Sequence, residues 1–142
     1  MRPLKQLIDA KRPLVSVRPD DTVYTALTQL AAFNIGALPV MDQGRLVGIF
    51  SERDYARKII LMGKASKDTL VREIMSEKVS CVTLDETVEE CMALMTEKHI
   101  RHLPVLGAGN ELVGILSIGD LVKEVISEQK FTIDQLVHYI QN

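Results

Sequence analysis

No apolar run in this chain approaches the roughly 20 residues that span a bilayer, so no membrane segment is expected. Only two cysteines occur, Cys81 and Cys91, too few for a disulfide framework and suited to a reducing compartment. Both stand among apolar residues, the setting of an inert core thiol. A large charge of one sign is also missing: the formal net charge is −2, which gives no electrostatic reason to expect a nucleic-acid partner. The N-terminus, MRPLKQLIDAKRPL, is basic but soon broken by charges and does not read as a secretory signal. A soluble cytoplasmic protein is the expectation.

Signatures of catalysis are lacking too. Neither cysteine sits in a recognisable nucleophile motif, Ser51 and Ser117 have no patterned histidine partner, and no G-x-G-x-x-G or P-loop occurs. His99 and His102 form an H-x-x-H pair, but with Cys81 or Cys91 they do not make a strong ligand pattern. No enzyme, no catalytic cofactor and no metal site are expected.

What is present is a repeat. GIFSERD at 48–54 returns as GILSIGD at 114–120. Setting Pro39 over Pro104 places Thr22-Val23 over Thr87-Val88, Ile35 over Ile100, and Leu38-Pro39-Val40 over Leu103-Pro104-Val105. After one inserted residue in the hairpin, Leu46-Val47-Gly48-Ile49 lies over Leu112-Val113-Gly114-Ile115, Ser51 over Ser117 and Asp54 over Asp120. With 46 % hydrophobic residues, 142 residues suffice for one core-forming domain. Units of this length must stack to bury their apolar faces.

Each unit reads as β-α-β-β-α. Val15 to Arg18 is an extended segment, and Pro19-Asp20-Asp21 is a turn and helix start. Val23, Ala26, Leu27, Leu30 and Ala31 then recur at helical spacing. Ala37 to Met41 and Leu46 to Phe50 flank Asp42-Gln43-Gly44 as a hairpin, and Ser51 caps a helix carrying Tyr55, Ile59 and Met62. The second unit has Thr83 to Glu86 as turn, the stripe Val88, Cys91, Met92 and Met95, and the hairpin Leu103 to Leu106 with Leu112 to Leu116. Its last helix carries Leu121, Val122, Val125 and Ile126. The expected divisions are an N-terminal segment 1–12, repeat one 13–62, a linker 63–77, repeat two 78–128 and an amphipathic tail 129–142. Leu4, Leu7 and Ile8 at one end, and Ile133, Leu136, Val137 and Ile140 at the other, are free to pack on their own module or on a second subunit.

The repeated Ser-x-x-Asp has a plain reading as a capping box, in which the serine accepts a backbone N–H and the acid reaches back to the cap. The same geometry can hold a ligand. A carboxylate accepts two hydrogen bonds from a vicinal diol, and a helix N-terminus offers N–H groups to a phosphate. Gly48 and Gly114, inside strands, permit close approach of backbone or ligand.

A tandem β-α-β-β-α unit with h-x-x-h-P-V in its middle and G-h-h-[ST]-x-x-D at its end resembles the CBS domain pair, or Bateman module, over roughly residues 10 to 128. The resemblance implies an α+β fold of two CBS repeats packed face to face with pseudo-twofold symmetry. It also implies binding of an adenosine-containing ligand, AMP, ADP, ATP, NAD(H) or S-adenosylmethionine, in clefts between the repeats. Carried onto this sequence, Asp54 and Asp120 are expected to take ribose, with Ser51, Arg53, Ser117, Arg101 and His102 near phosphate. Val17, Ala37, Pro39, Val82, Ile100 and Pro104 are expected around the base. The copies differ, since Gly36-Ala37 stands where the second has Arg101-His102, so one site is expected to be more cationic. The implied function is adenine-nucleotide sensing by a homodimer that acts on an unidentified protein in trans. The alternative is a ligand-independent dimerisation and docking module.

Overall fold

The computed structural model describes residues 3–8 and 14–141; positions 9–13, on which the expected boundary between N-terminal segment and first repeat falls, lie outside them. Two hairpins organise the fold. β1 (Ala37–Asp42) pairs antiparallel with β2 (Arg45–Ser51), with Leu38 opposite Phe50 and Val40 opposite Gly48. β4 (His102–Leu106) pairs with β5 (Leu112–Ser117), with Leu103 opposite Leu116 and Val105 opposite Gly114. The register shifts at the equivalent place in each, between Val40 and Met41 and between Val105 and Leu106. The leading strand is shorter than its sequence suggests. In the first repeat it is one parallel bridge, Val17 to Val40, and in the second it is β3 (Val82–Thr83), parallel to β4.

The helix that precedes each hairpin is fixed by its caps. α1 (Val23–Phe33) starts at Thr22, whose side chain accepts from Thr25 N, and α4 (Val88–Lys98) starts at a Thr87–Glu90 capping box. Both end on a left-handed residue, Asn34 at φ 52° and His99 at φ 55°. They bury Val23, Ala26 and Leu30, and Val88, Cys91 and Met95, respectively; Ala31, counted in the first stripe, is exposed.

The second helices depart from expectation. α2 (Glu52–Asp54) passes at once into a π-helical stretch, Tyr55–Ile60, which buries Ile59 but ends too early for Met62, left 64 % exposed. α5 (Ile118–Gln141) is one continuous helix of 24 residues rather than a repeat helix followed by a separate tail. No Gly or Pro interrupts it after Gly119, so the backbone has no reason to stop.

Two short segments cross between the repeats. The 3-10 turn Leu4–Gln6 puts Leu4 into the second core, where Leu4 N donates to Glu86 O at 2.8 Å and Lys5 N to Leu84 O at 3.2 Å. α3 (Val71–Ile74) puts Val71 and Ile74 into the first core, with Val71 N donating to Asp21 O at 2.8 Å and Arg72 N to Pro19 O at 3.0 Å. Each segment therefore docks on the helix start of the repeat it does not lead into. Gly48 belongs to this crossing, because a Cβ there would stand 2.8 Å from Met75 Sδ and 2.9 Å from Ser76 O. At Gly114 the neighbour is Ile8 Cδ1, at 3.3 Å. At both glycines the close approach is by the protein's own chain, and Gly114 also lines a cleft.

Candidate functional site

Hairpin register carries Ser51 and Ser117 to the ends of β2 and β5, opposite Ala37 and His102. There the carbonyls of Gly36 and Arg101 accept the first helical N–H groups, from Glu52 at 3.1 Å and Ile118 at 2.9 Å. Each helix start thus faces the C-terminal end of the other repeat's helix, and two clefts open there. The first, of about 620 Å³, is lined by Ser51, Arg53 and Asp54 from one repeat and by His99, Ile100, Arg101 and His102 from the other. The second, of about 490 Å³, is lined by Ser117, Asp120 and Lys123 facing Phe33, Asn34, Ile35, Gly36, Ala37 and Pro39.

The structure brings most of the expected residues to these clefts, though not all. Val17 and Val82 are 2 % and 1 % exposed in the two cores, and together with the buried Pro104 they lie outside both linings. The side chains of Val17 and Val82 point into the two cores, whereas Pro104, between the core-facing Leu103 and Val105, is buried on the other face of β4. Sequence reasoning missed Arg57, Lys58, Lys78, Lys98 and Ser76, all in the first cleft. Arg57 carried a signal: it stands four residues from Arg53, on the same side of a helical turn.

Asp54 is 9 % exposed and heavily engaged. Its Oδ2 accepts from Ser51 N at 3.0 Å and Ser51 Oγ at 3.1 Å, while Asp54 N donates to Ser51 Oγ at 3.2 Å, a complete capping box. Oδ1 accepts from Ser76 Oγ at 3.2 Å and lies 3.8 Å from Lys58 Nζ. In the second copy Ser117 N donates to Asp120 Oδ2 at 2.9 Å and Asp120 N to Ser117 Oγ at 3.1 Å. Arg53 reaches across the cleft and donates to His99 O at 2.9 Å, satisfying a carbonyl at the C-terminal end of α4.

Only Gly36 and His102 line both clefts, among the described residues. A Cβ on Gly36 would stand 3.2 Å from His102 Nε2, so the imidazole fills the space that the glycine leaves. Burial pushes the His102 pKa below its ordinary value; Asp120 and Glu52 oppose this and Arg101 adds to it. Cys91 is buried in the second core, where burial followed by Glu86 and Glu90 pushes its pKa up to about 11; Cys81 is only half-buried and is raised by burial alone. Among the described residues no group of His, Cys, Asp and Glu is placed to hold a metal, and no helix is long and apolar enough to cross a membrane.

The CBS domain family profile matches this chain twice, at residues 4–61 and 71–127. The chain belongs to the CBS-domain family. An Arabidopsis thaliana mitochondrial CBS domain-containing protein is 44 % identical over 127 residues, 86 % of this chain but 61 % of that protein, so the chain spans less than two thirds of this relative. A CBS-domain crystal structure aligns at TM-score 0.82 and 51 % identity, covering 88 % of this chain and 98 % of the other. A CBS domain pair solved with 5-methylthioadenosine and S-adenosyl-L-methionine aligns at TM-score 0.79 and 25 % identity, covering 90 % of this chain and 98 % of the other. Within the pair, packing runs across the profile's boundaries: Leu4 opens the first CBS match yet packs in the second core, and Val71 opens the second yet packs in the first.

Proposed function

We propose that this CBS pair is a regulatory protein, not a catalyst, that binds an adenine nucleotide in its clefts and acts on a partner protein in trans. One observation carries this: both Ser-x-x-Asp helix starts open onto clefts walled by the opposite repeat. A ligand seated there touches both repeats at once, so its affinity depends on their arrangement, which is the condition for a sensor. Helix N–H groups suit phosphate and the carboxylates suit a ribose diol. Candidates are AMP, ADP, ATP, NAD(H) and, by analogy with the solved complex, S-adenosylmethionine or methylthioadenosine.

Engaging ribose through Asp54 means exchanging Ser76 Oγ for a sugar hydroxyl. Ser76 follows α3, the segment that crosses between repeats, so occupancy of the first cleft pulls on the inter-repeat connection. A homodimer is part of the proposal, supported by the exposed apolar side chains Ile126, Ile133, Leu136 and Ile140 along α5. We place the protein in a reducing compartment on its two free thiols, with the cytoplasm as our expectation.

The rival reading, a docking module without ligand, is favoured by the fact that both Asp54 oxygens already have partners. Thermal unfolding against the nucleotide panel separates the two. A ligand at 100 times its Kd adds about 2.7 kcal/mol, roughly 5 to 10 °C here. Such a shift, lost in the Asp54→Asn, Asp120→Asn double variant, supports the sensor; no shift in nucleotide-free protein supports the docking module.

A further inference from the structure

The two clefts share one plan and differ in charge. Lys98 stands where the second cleft has Phe33 and Arg101 where it has Gly36, while Arg57 corresponds to another cation, Lys123. Six cationic side chains, Arg53, Arg57, Lys58, Lys78, Lys98 and Arg101, line the first cleft against two carboxylates, Glu52 and Asp54, in a chain whose formal net charge is −2. Lys58 lies near Asp54 and Arg53 gives one N–H to His99 O. The side chains of Arg57, Lys78, Lys98 and Arg101 have no ion-pair or hydrogen-bond partner among the described residues. Gathering unpaired like charges costs stability through mutual repulsion.

We propose that the first cleft binds a small polyanion with several phosphates through those phosphates, and that the second takes the adenosine of a ligand with little charge. This deepens the nucleotide reading and rests on it for the second cleft. Arginine presents a planar fork of donors to phosphate oxygens and lysine a point charge. Asp54 is committed to Ser51 and Ser76, as Asp120 is to Ser117, so a ribose must displace protein contacts at either carboxylate, whereas a phosphate chain in the first cleft meets unpaired donors. The second cleft offers Val15, Ile35 and Pro39 as apolar walls for a base. A cleft of about 620 Å³ walled by both repeats has the size of a small-molecule site, within the roughly 300–1,000 Å³ of such sites.

The test is calorimetric titration of the whole chain with inorganic tripolyphosphate, ATP, AMP and adenosine. Tripolyphosphate is expected to bind at one site, to weaken at least tenfold in the Arg57→Gln, Lys98→Gln double variant, and to weaken steeply with added salt. Adenosine binding is expected to survive that double variant and to fall in Asp120→Asn. ATP tighter than tripolyphosphate identifies a nucleotide as the source of the phosphates; equal affinities identify the phosphate chain alone, and both support the cleft's ligand class. If adenosine or AMP binds while tripolyphosphate does not, or if tripolyphosphate binds the double variant as well as the parent chain, the inference is overturned and the nucleotide reading stands. If nothing in the panel binds, both fall.

Discussion

Ser76 donates its hydroxyl to Asp54 Oδ1 at 3.2 Å, tying the segment that joins the repeats to the helix start of the first cleft. Ser76 and Ile49 also exchange two backbone hydrogen bonds, at 3.0 and 2.9 Å, so the residue is held from both sides. Ser76→Ala removes the hydroxyl bond alone. It is expected to lower stability by about 1 kcal/mol while strengthening nucleotide binding at the first cleft, because Asp54 then has less to give up. Urea unfolding and calorimetry together check the pair of signs.

Gly48 and Gly114 occupy equivalent positions but answer to different neighbours. Gly48→Ala places a methyl group 2.9 Å from the Ser76 carbonyl oxygen, which is backbone and cannot swing away. A loss of about 1–3 kcal/mol is expected. Gly114→Ala meets only the flexible end of Ile8, at 3.3 Å, and is expected to cost less than half as much. Urea midpoints of the two variants decide it.

Leu4 is fully buried in the second core although it stands at the start of the chain. Leu4→Ala is expected to destabilise by about 2–4 kcal/mol, whereas a surface residue in a loose N-terminal segment has almost no effect when truncated. The same measurement on Val71→Ala, which empties a site in the first core, is expected to show a comparable but smaller loss.

What was legible in the sequence was what is local. The hairpin around Gln43-Gly44 and the Ser51 and Ser117 boxes depend on residues within a few positions of one another, and side-chain type reveals them. The crossing of Leu4 and Val71 was not legible, because their partners, Glu86 and Asp21, are distant in the chain and elements of three or four residues read as linker. The π-helical stretch at Tyr55–Ile60 has the same apolar residues that an α-helix needs, so periodicity does not distinguish them. In the site, the Asp–Ser motifs were visible. Of the cations on the facing wall only Arg101 was, since only folding brings Lys98 and Lys78 beside Arg57.

His102 supplies a pH prediction. Its pKa is lowered in the folded state by burial, with Arg101 acting in the same direction and Asp120 and Glu52 against it. As pH falls, the unfolded chain takes up this proton before the folded one does. Its contribution to stability is therefore complete above the ordinary histidine value of about 6.5 and is lost as pH falls through it toward the lower folded value. Urea midpoints followed from about pH 7.5 to 5 are expected to decline less steeply in His102→Gln than in the parent chain.

Binding of AMP and ATP to the nucleotide-free protein, followed by calorimetry with the parent chain and with Asp120→Asn side by side, tests the central claim most directly. The expected result is saturable binding in the parent chain, weakened at least tenfold for AMP by the substitution while the variant unfolds as cooperatively as the parent. Absence of binding by either nucleotide, or an AMP affinity unchanged in Asp120→Asn and in Asp54→Asn, contradicts it and leaves the Ser-x-x-Asp motifs as helix caps alone.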